Sequence, residues 1–377
     1  MLTAIPVGQG DAFLLQRQDG PTILVDGGRS QKELPIQVSE RVKGRIDVVV
    51  CTHADADHTD GLIGLLAVGS TPVKEVWLPG RWASRLEDLL RPNIDWLEEL
   101  CEQVNRTEAD SLKDVVDGHG DESQVREKEI HLRDIADILA ETGRRSGHAF
   151  YPLFNRHWPF YEWPEPFCVR DRTKWKLFFE AVEVAARIHD VALAAQHRGA
   201  KIRWFDFEEA QTSGVPSGGE KFLRPLNSVE IKAGHALRKM DVLLYLALSV
   251  ANRESLVFAA PEGEKFSGVV FAADSDLACS QHIPMFNRTA AVTAPHHGSE
   301  SNAVAYQAVA NRMGSSLGFW IRSDGYYKKR PGNTYLQQQA QRACTLCRDA
   351  GLPKQSVQLV EGAGGWMLGK SALCQCK

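Results

Sequence analysis

No run of about 18 apolar residues occurs in the 377-residue chain, which excludes an ordinary membrane-spanning helix. The opening residues, MLTAIPVGQGDAFLL, contain no basic stretch followed by an apolar one, so no secretory leader is expected there. Neither sign of charge dominates: 44 basic residues face 48 acidic ones, a net −4, so contact with a polyanion requires a local basic patch. Internal repeats and low-complexity tracts are lacking, which sets repeat architectures aside. Cysteine is sparse over most of the chain, and the expectation is a cytoplasmic protein with reduced thiols and no membrane contact. What is left is a composition of 43% hydrophobic and 24% charged residues, which supplies a core for one large domain or two ordinary ones.

Strand signals open the chain. AFLLQRQ, the turn DGP and TILVDGG read as a hairpin, RIDVVVCTH as a buried strand over Ile46 to Cys51, and VKEVWLPG as another strand, with GLIGLLAVG as a short helix between. Strands alternating with helices mean an α/β class. From about residue 82 the character changes. VREKEIHLRDIADILAETG has helical spacing, WPFYEWPEPF is too rich in proline for one regular element, and a long helix is expected from Thr173 to His197. Residues 82–198 are therefore read as a helical insertion or cap in a discontinuous domain formed by 1–81 and 199–377. Strands return after residue 200, a helix is expected over Thr334 to Ala350, and SVQLVEGAGGWMLG suggests a closing hairpin.

The chemistry concentrates in CTHADADHTDG. His53, Asp55, Asp57 and His58 place four metal donors on one tight loop at the end of a strand, imidazole nitrogens beside hard carboxylate oxygens. Asp274 follows the apolar strand GVVFA, and His296 and His297 follow AAVTAP. Three strand ends thus carry candidate ligands. A polar loop on an inactive fold would account for the first cluster alone, but not for all three.

These motifs resemble the metallo-β-lactamase fold, with THADADHTDG as an HxDxDH form of its HxHxDH signature. VGQGDAFLL, VDGG, NRESLVFAA, FAADSD, APHHGSES and EGAGGWMLG are similar to the C-terminal metallo-β-lactamase-like domain of the competence protein ComEC family. The resemblance spans about residues 1–80 and 200–370 and leaves out both the helical insertion and that family's membrane channel. It implies an αββα sandwich with one or two divalent ions, zinc or manganese, holding a hydroxide for hydrolysis. By position, His53 and Asp55 would serve one ion and Asp57 and His58 the other, with Asp274 bridging and His297 completing the set. His296 becomes a group for protonating the leaving group or contacting substrate, and Asp57 a catalytic residue as well as a ligand. Two departures stand out: Asp55 replaces the usual second histidine, and Asn252 lies near the place of a missing third-motif histidine. Both shift the first position toward oxygen donors.

Around this set, Asp11 reads either as a carboxylate orienting a ligand or as a turn residue, Asp26 as a support for the His53 loop, Asp60 and Gly61 as the opening of the following helix, Asp276 as a helix cap, and Ser299 as a cap or substrate contact. Arg322, Lys328, Lys329 and Arg330 lie beside two tyrosines, a combination that can grip phosphates and stack bases or can be a solvated turn. Cys344 with Cys347 and Cys374 with Cys376 could close a structural zinc site, remain free thiols, or form one disulfide. The leading expectation is a phosphodiesterase or nuclease acting on nucleic acid or a nucleotide. The alternatives are an ester or lactam hydrolase on the same fold, and a non-catalytic scaffold that docks a protein partner through the helical insertion.

Overall fold

The structure, a computed structural model, describes residues 1–83, 102–106, 127–131, 172–207, 214–231, 233–237, 254–323, 330–347 and 351–376. Two sheets face each other. The first has nine strands: β1 (Leu2–Ala4), β2 (Phe13–Gln16), β3 (Thr22–Val25), β4 (Ile46–Val50), β5 (Val73–Pro79), β7 (Lys201–Asp206), β9 (Val229–Ile231), β16 (Val357–Gly362) and β17 (Gly365–Leu368). Their order is β17-β16-β1-β2-β3-β4-β5-β7-β9. The second has six: β8 (Arg224–Pro225), β11 (Phe258–Ala260), β12 (Val269–Phe271), β13 (Ala290–Thr293), β14 (Leu317–Arg322) and β15 (Gln341–Cys344), ordered β15-β14-β13-β12-β11-β8. A separate antiparallel pair joins β6 (Glu127–His131) to β10 (Ala233–Leu237).

Side-chain alternation makes the layers. On β4, Val48 and Val50 point into the core between the sheets, while Val49 points into a second core beneath helices. On β12, Val269 and Phe271 enter the central core and Val270 an outer one. Each sheet is therefore apolar on both faces and needs a helical cover. The first is covered by α1 (Glu33–Arg41), α2 (Ala56–Val68) and α3 (Arg172–His197), and the second by α4 (Ala303–Met313). The result is the αββα order of layers. α3 lies in the segment read as an insertion, yet Phe178, Val182, Ile188 and Val191 are buried in the core that also holds β4 and α2. It completes the outer layer of the first sheet.

Three elements differ from their sequence reading. The span 334–350 is not one helix: α5 (Asn333–Leu336) is a single turn, followed by β15, which pairs in parallel with β14. Pairing along the sheet edge and burial of Tyr335 and Cys344 override the helical propensity of its Gln, Ala and Arg residues. Residues 127–131 form a strand rather than a helix, through a nonlocal pairing with β10. The second helix starts at Ala56, so Asp60 lies within it and Asp55 holds the N-cap position.

Among the described residues, no helix is long and apolar enough to cross a membrane.

Candidate metal centre

The carboxyl ends of β4, β12 and β13 meet at one edge of the sandwich, and their loops deliver the expected donors. α2 begins directly after the β4 loop, so His53 and Asp55 project from the loop while Asp57 and His58 sit in the first helical turn. Asp274 follows β12, and His296 and His297 follow β13. These turns are tight. Ala273, His296 and His297 all have positive φ, at 47°, 47° and 53°. Left-handed backbone at non-glycine residues costs on the order of 1–3 kcal/mol each and persists only where surrounding contacts enforce it.

Two groups of donors share Asp274. In the first group, His58 Nε2 and His297 Nε2 are 3.3 Å apart, His58 Nε2 is 3.3 Å from Asp274 Oδ1, and His297 Nε2 is 3.4 Å from Asp57 Oδ2. In the second, His53 Nε2 lies 3.7 Å from Asp55 Oδ2 and 3.8 Å from the other Asp274 oxygen, Oδ2. His296 Nε2 approaches the same Oδ2 at 3.4 Å. His53, Asp55 and Asp274 offer donor atoms all within 4.8 Å of one another, as do Asp11, His58, Asp274 and His297. Among the described residues, His53 Nε2 and Asp274 Oδ1 are buried with no hydrogen-bond partner. Buried polar atoms are normally satisfied. Two unsatisfied lone-pair carriers, aimed into a cluster of imidazoles and carboxylates, fit a divalent cation.

The outer partners of these ligands are in place. Asp11 Oδ1 accepts from His297 Nδ1 at 2.9 Å, and Asp26 Oδ2 from His58 Nδ1 at 2.8 Å. Each bond leaves Nε2 free to face the centre, the usual arrangement behind a metal-ligating histidine. Asp26 also accepts from the Thr52 amide at 2.9 Å and the Thr52 hydroxyl at 2.7 Å, so one carboxylate fixes both His58 and the strand end. Asp11 is thus a carboxylate that orients a site histidine. Its amide also donates to Asp57 O at 3.1 Å. That contact depends on Gly10, with φ +94°, because a Cβ there would lie 1.7 Å from Asp57 O.

Electrostatics follow from this packing. Burial disfavours charge on His58, but Asp26 and Asp274 outweigh it and hold its pKa well above the ordinary imidazole value. His297 is raised in the same way, burial opposed by Asp11, Asp274 and Asp57. Asp274 and Asp57 are held well below the ordinary carboxylate value against their own burial, chiefly by His58 and His297. The carboxylates demand positive charge at the point where the imidazoles converge, and a proton or a metal cation can supply it. His296 differs: burial lowers its pKa, and Arg330 and His297 add to that effect against Asp274.

Some expected residues have other positions. Ser299 caps the short turn Glu300–Asn302, accepting from the Ser301 amide. Asp276 accepts from the Ala278 amide at 3.0 Å in a turn and caps no α-helix. Arg322, read as part of a basic loop, is buried behind the His297 turn, where it donates to Leu346 O at 2.8 Å and to cysteine sulfurs. Its position at the apolar end of β14 turns it inward. Arg330 reaches the centre, with Nη2 2.5 Å from His296 Nε2. Asn252, Lys328 and Lys329 lie outside the described residues. Asn302 was not anticipated. Its Oδ1 is 3.1 Å from His296 Nδ1, and its Nδ2 donates at 3.0 Å to the carbonyls of both Asp274 and Ser275, tying two ligand-bearing turns together. In sequence it is one asparagine in SESNA, with no spacing signal.

Cys344, Cys347, Cys374 and Cys376 also come together, away from this centre, with sulfurs within 4.8 Å of one another.

No curated protein matches the chain. The family model of the metallo-beta-lactamase superfamily matches residues 5–132, which include the His53–His58 cluster together with Asp11 and Asp26. The layer order and the donor set are consistent with that match, which assigns a metallo-beta-lactamase superfamily domain to residues 5–132.

Proposed function

We propose that this protein is a metal-dependent hydrolase of phosphodiester bonds, acting on nucleic acid or a nucleotide. The observation that carries the hydrolase reading is the sharing of Asp274 between two donor groups, one oxygen toward Asp57, His58 and His297 and the other toward His53 and Asp55. Such a set can hold two divalent ions. The mixed nitrogen and oxygen group suits zinc, and the oxygen-richer group suits manganese. Bound there, divalent ions lower the pKa of water toward neutrality and stabilise charge on phosphoryl oxygens.

The protein's own groups do the rest. Asp11 and Asp26 keep the two imidazoles in the tautomer that presents Nε2. Asn302 orients His296, whose lowered pKa favours a neutral ring at neutral pH. With Nδ1 held by Asn302 Oδ1, neutral His296 can take a proton from the attacking water at Nε2 and return it to the leaving oxygen, while Arg330 beside it keeps its charge and favours an anionic substrate. The phosphodiester specificity rests on Arg330 and on the resemblance of the strand-end motifs to the ComEC family.

A substrate panel tests this reading. The purified protein, supplied with Mn²⁺ or Zn²⁺, is assayed against single- and double-stranded DNA, RNA, cyclic nucleotides, simple esters and a chromogenic β-lactam. Phosphodiester cleavage lost in Asp57→Ala is expected. Hydrolysis of lactams or esters alone would overturn the substrate claim, and no hydrolysis of any class would overturn the enzyme claim.

A further inference from the structure

We propose that Cys344, Cys347, Cys374 and Cys376 form a structural zinc site that fastens the C-terminal segment to the end of β15. It shares no ligand with the hydrolytic centre. β15 is the edge strand of the second sheet, and the tail returns alongside it, the Cys374 amide donating to Arg342 O at 2.7 Å. That contact places CQC beside CTLC.

Three observations favour zinc over free thiols or a disulfide. The first is geometry. Cys347 Sγ and Cys374 Sγ are 3.9 Å apart, and all four sulfurs lie within 4.8 Å of one another. A tetrahedral zinc–thiolate site with bonds of about 2.3 Å has sulfur–sulfur edges of about 3.8 Å, whereas a disulfide needs about 2.05 Å. All four cysteines are free thiols in the structure.

The second is the direction of surrounding donors. The Gln375 amide donates to Cys347 Sγ at 3.4 Å and the Cys376 amide to Cys374 Sγ at 3.4 Å. Arg322 Nε donates to Cys344 Sγ at 3.3 Å and Arg322 Nη2 to Cys376 Sγ at 3.5 Å. Tyr335 Oη lies 3.4 Å from Cys344 Sγ. Each sulfur thus has a polar hydrogen available to it, as thiolate ligands require.

The third is charge. Arg322 is 1% exposed, its Nη1 has no hydrogen-bond partner, and no carboxylate pairs with it among the described residues. A buried guanidinium without a counter-charge is costly. Four thiolates around Zn²⁺ carry a net charge of −2 and provide that counter-charge directly. The site also supports the hydrolytic centre from behind, because Arg322 Cδ packs beneath Gly298, the residue after His297, where an added Cβ would meet it at 3.0 Å.

The test compares zinc content in three full-length proteins purified under reducing conditions. These are the wild type, Asp57→Ala/His58→Ala, and Cys374→Ser/Cys376→Ser. The expected result is that the first two retain one tightly held zinc that the cysteine variant lacks. Should the cysteine variant fail to fold, two wild-type measurements decide. Replacement by Co²⁺ should give sulfur-to-cobalt charge-transfer absorption, which the His and Asp donors of the hydrolytic centre cannot produce. Titration with an organomercurial should release one zinc in step with thiol modification. Absence of the charge-transfer band, or four cysteines found as disulfides in freshly purified protein, would overturn the proposal.

Discussion

The Asp11 carboxylate holds His297 Nδ1 at 2.9 Å, joining the first loop of one sheet to a strand end of the other across 286 positions of chain. The bond makes the geometry of the candidate centre depend on docking of the two sheets. Asp11→Asn keeps the size but removes the charge that orients and polarises His297. The expected loss in affinity for divalent metal is about 10- to 100-fold, measured by competition with a chromogenic chelator. Asp26→Asn should do the same through His58. Wild-type affinity in both variants would mean that these carboxylates only support the fold.

Gly10 allows that docking. An alanine there meets Asp57 O and takes an unfavourable positive φ, so Gly10→Ala should lower stability by more than about 2 kcal/mol and displace Asp57. Gly44 has nothing within 4 Å of an added Cβ, and Gly44→Ala should leave stability within about 0.5 kcal/mol of wild type. Denaturant unfolding of the two variants checks the contrast.

Arg330 should act on substrate binding. Arg330→Met removes the guanidinium beside His296 and should raise KM for a phosphodiester about tenfold. Hydrolysis of a neutral ester, if any, should be unaffected. Steady-state kinetics on the two substrates separates a charge contact from a general distortion of the site.

Stability should depend on pH through Arg203, which ties β5, β7 and β9 together. Its Nε and Nη2 bond both oxygens of Glu230, at 2.8 Å and 2.6 Å, and its Nη1 bonds Glu75 at 3.1 Å. Partial burial raises the pKa of both glutamates, but hydrogen bonds, from Arg203 to Glu230 and from Trp77 and Arg203 to Glu75, bring the net value below the ordinary one. A depressed folded-state pKa means that the contribution is complete above the ordinary glutamate range and is lost as pH falls through the folded value. Glu230→Gln should therefore cost about 1–2 kcal/mol at neutral pH, limited by solvent screening, and converge with wild type in acid. Melting curves at several pH values report this. A difference that stays constant into acid would assign the loss to packing.

The donors were legible in the sequence because each follows an apolar strand: His53 to His58 after IDVVV, Asp274 after VVF, His297 after AAVT. The run RIDVVVCTH likewise read as a buried strand, and β4 has apolar side chains in the cores on both faces of its sheet. What could not be read was set by long-range contacts. The left-handed turn at His296 and His297 has no glycine or asparagine at those two positions to announce it. Asn302 matters only because two distant turns meet at its amide. Arg322 belongs to a basic run in the chain and to a buried thiol cluster in space. The expected helix over 334–350 failed for the same reason, since pairing with β14 decides the state of β15.

Metal titration of chelator-treated wild type and Asp274→Ala by calorimetry bears most directly on the central claim, that one carboxylate joins two donor groups into a single centre. After the cysteine-bound zinc is accounted for, wild type should bind two Mn²⁺ or Zn²⁺ ions, and Asp274→Ala should weaken both binding events. Loss of only one event, or two unchanged events, would contradict the shared centre.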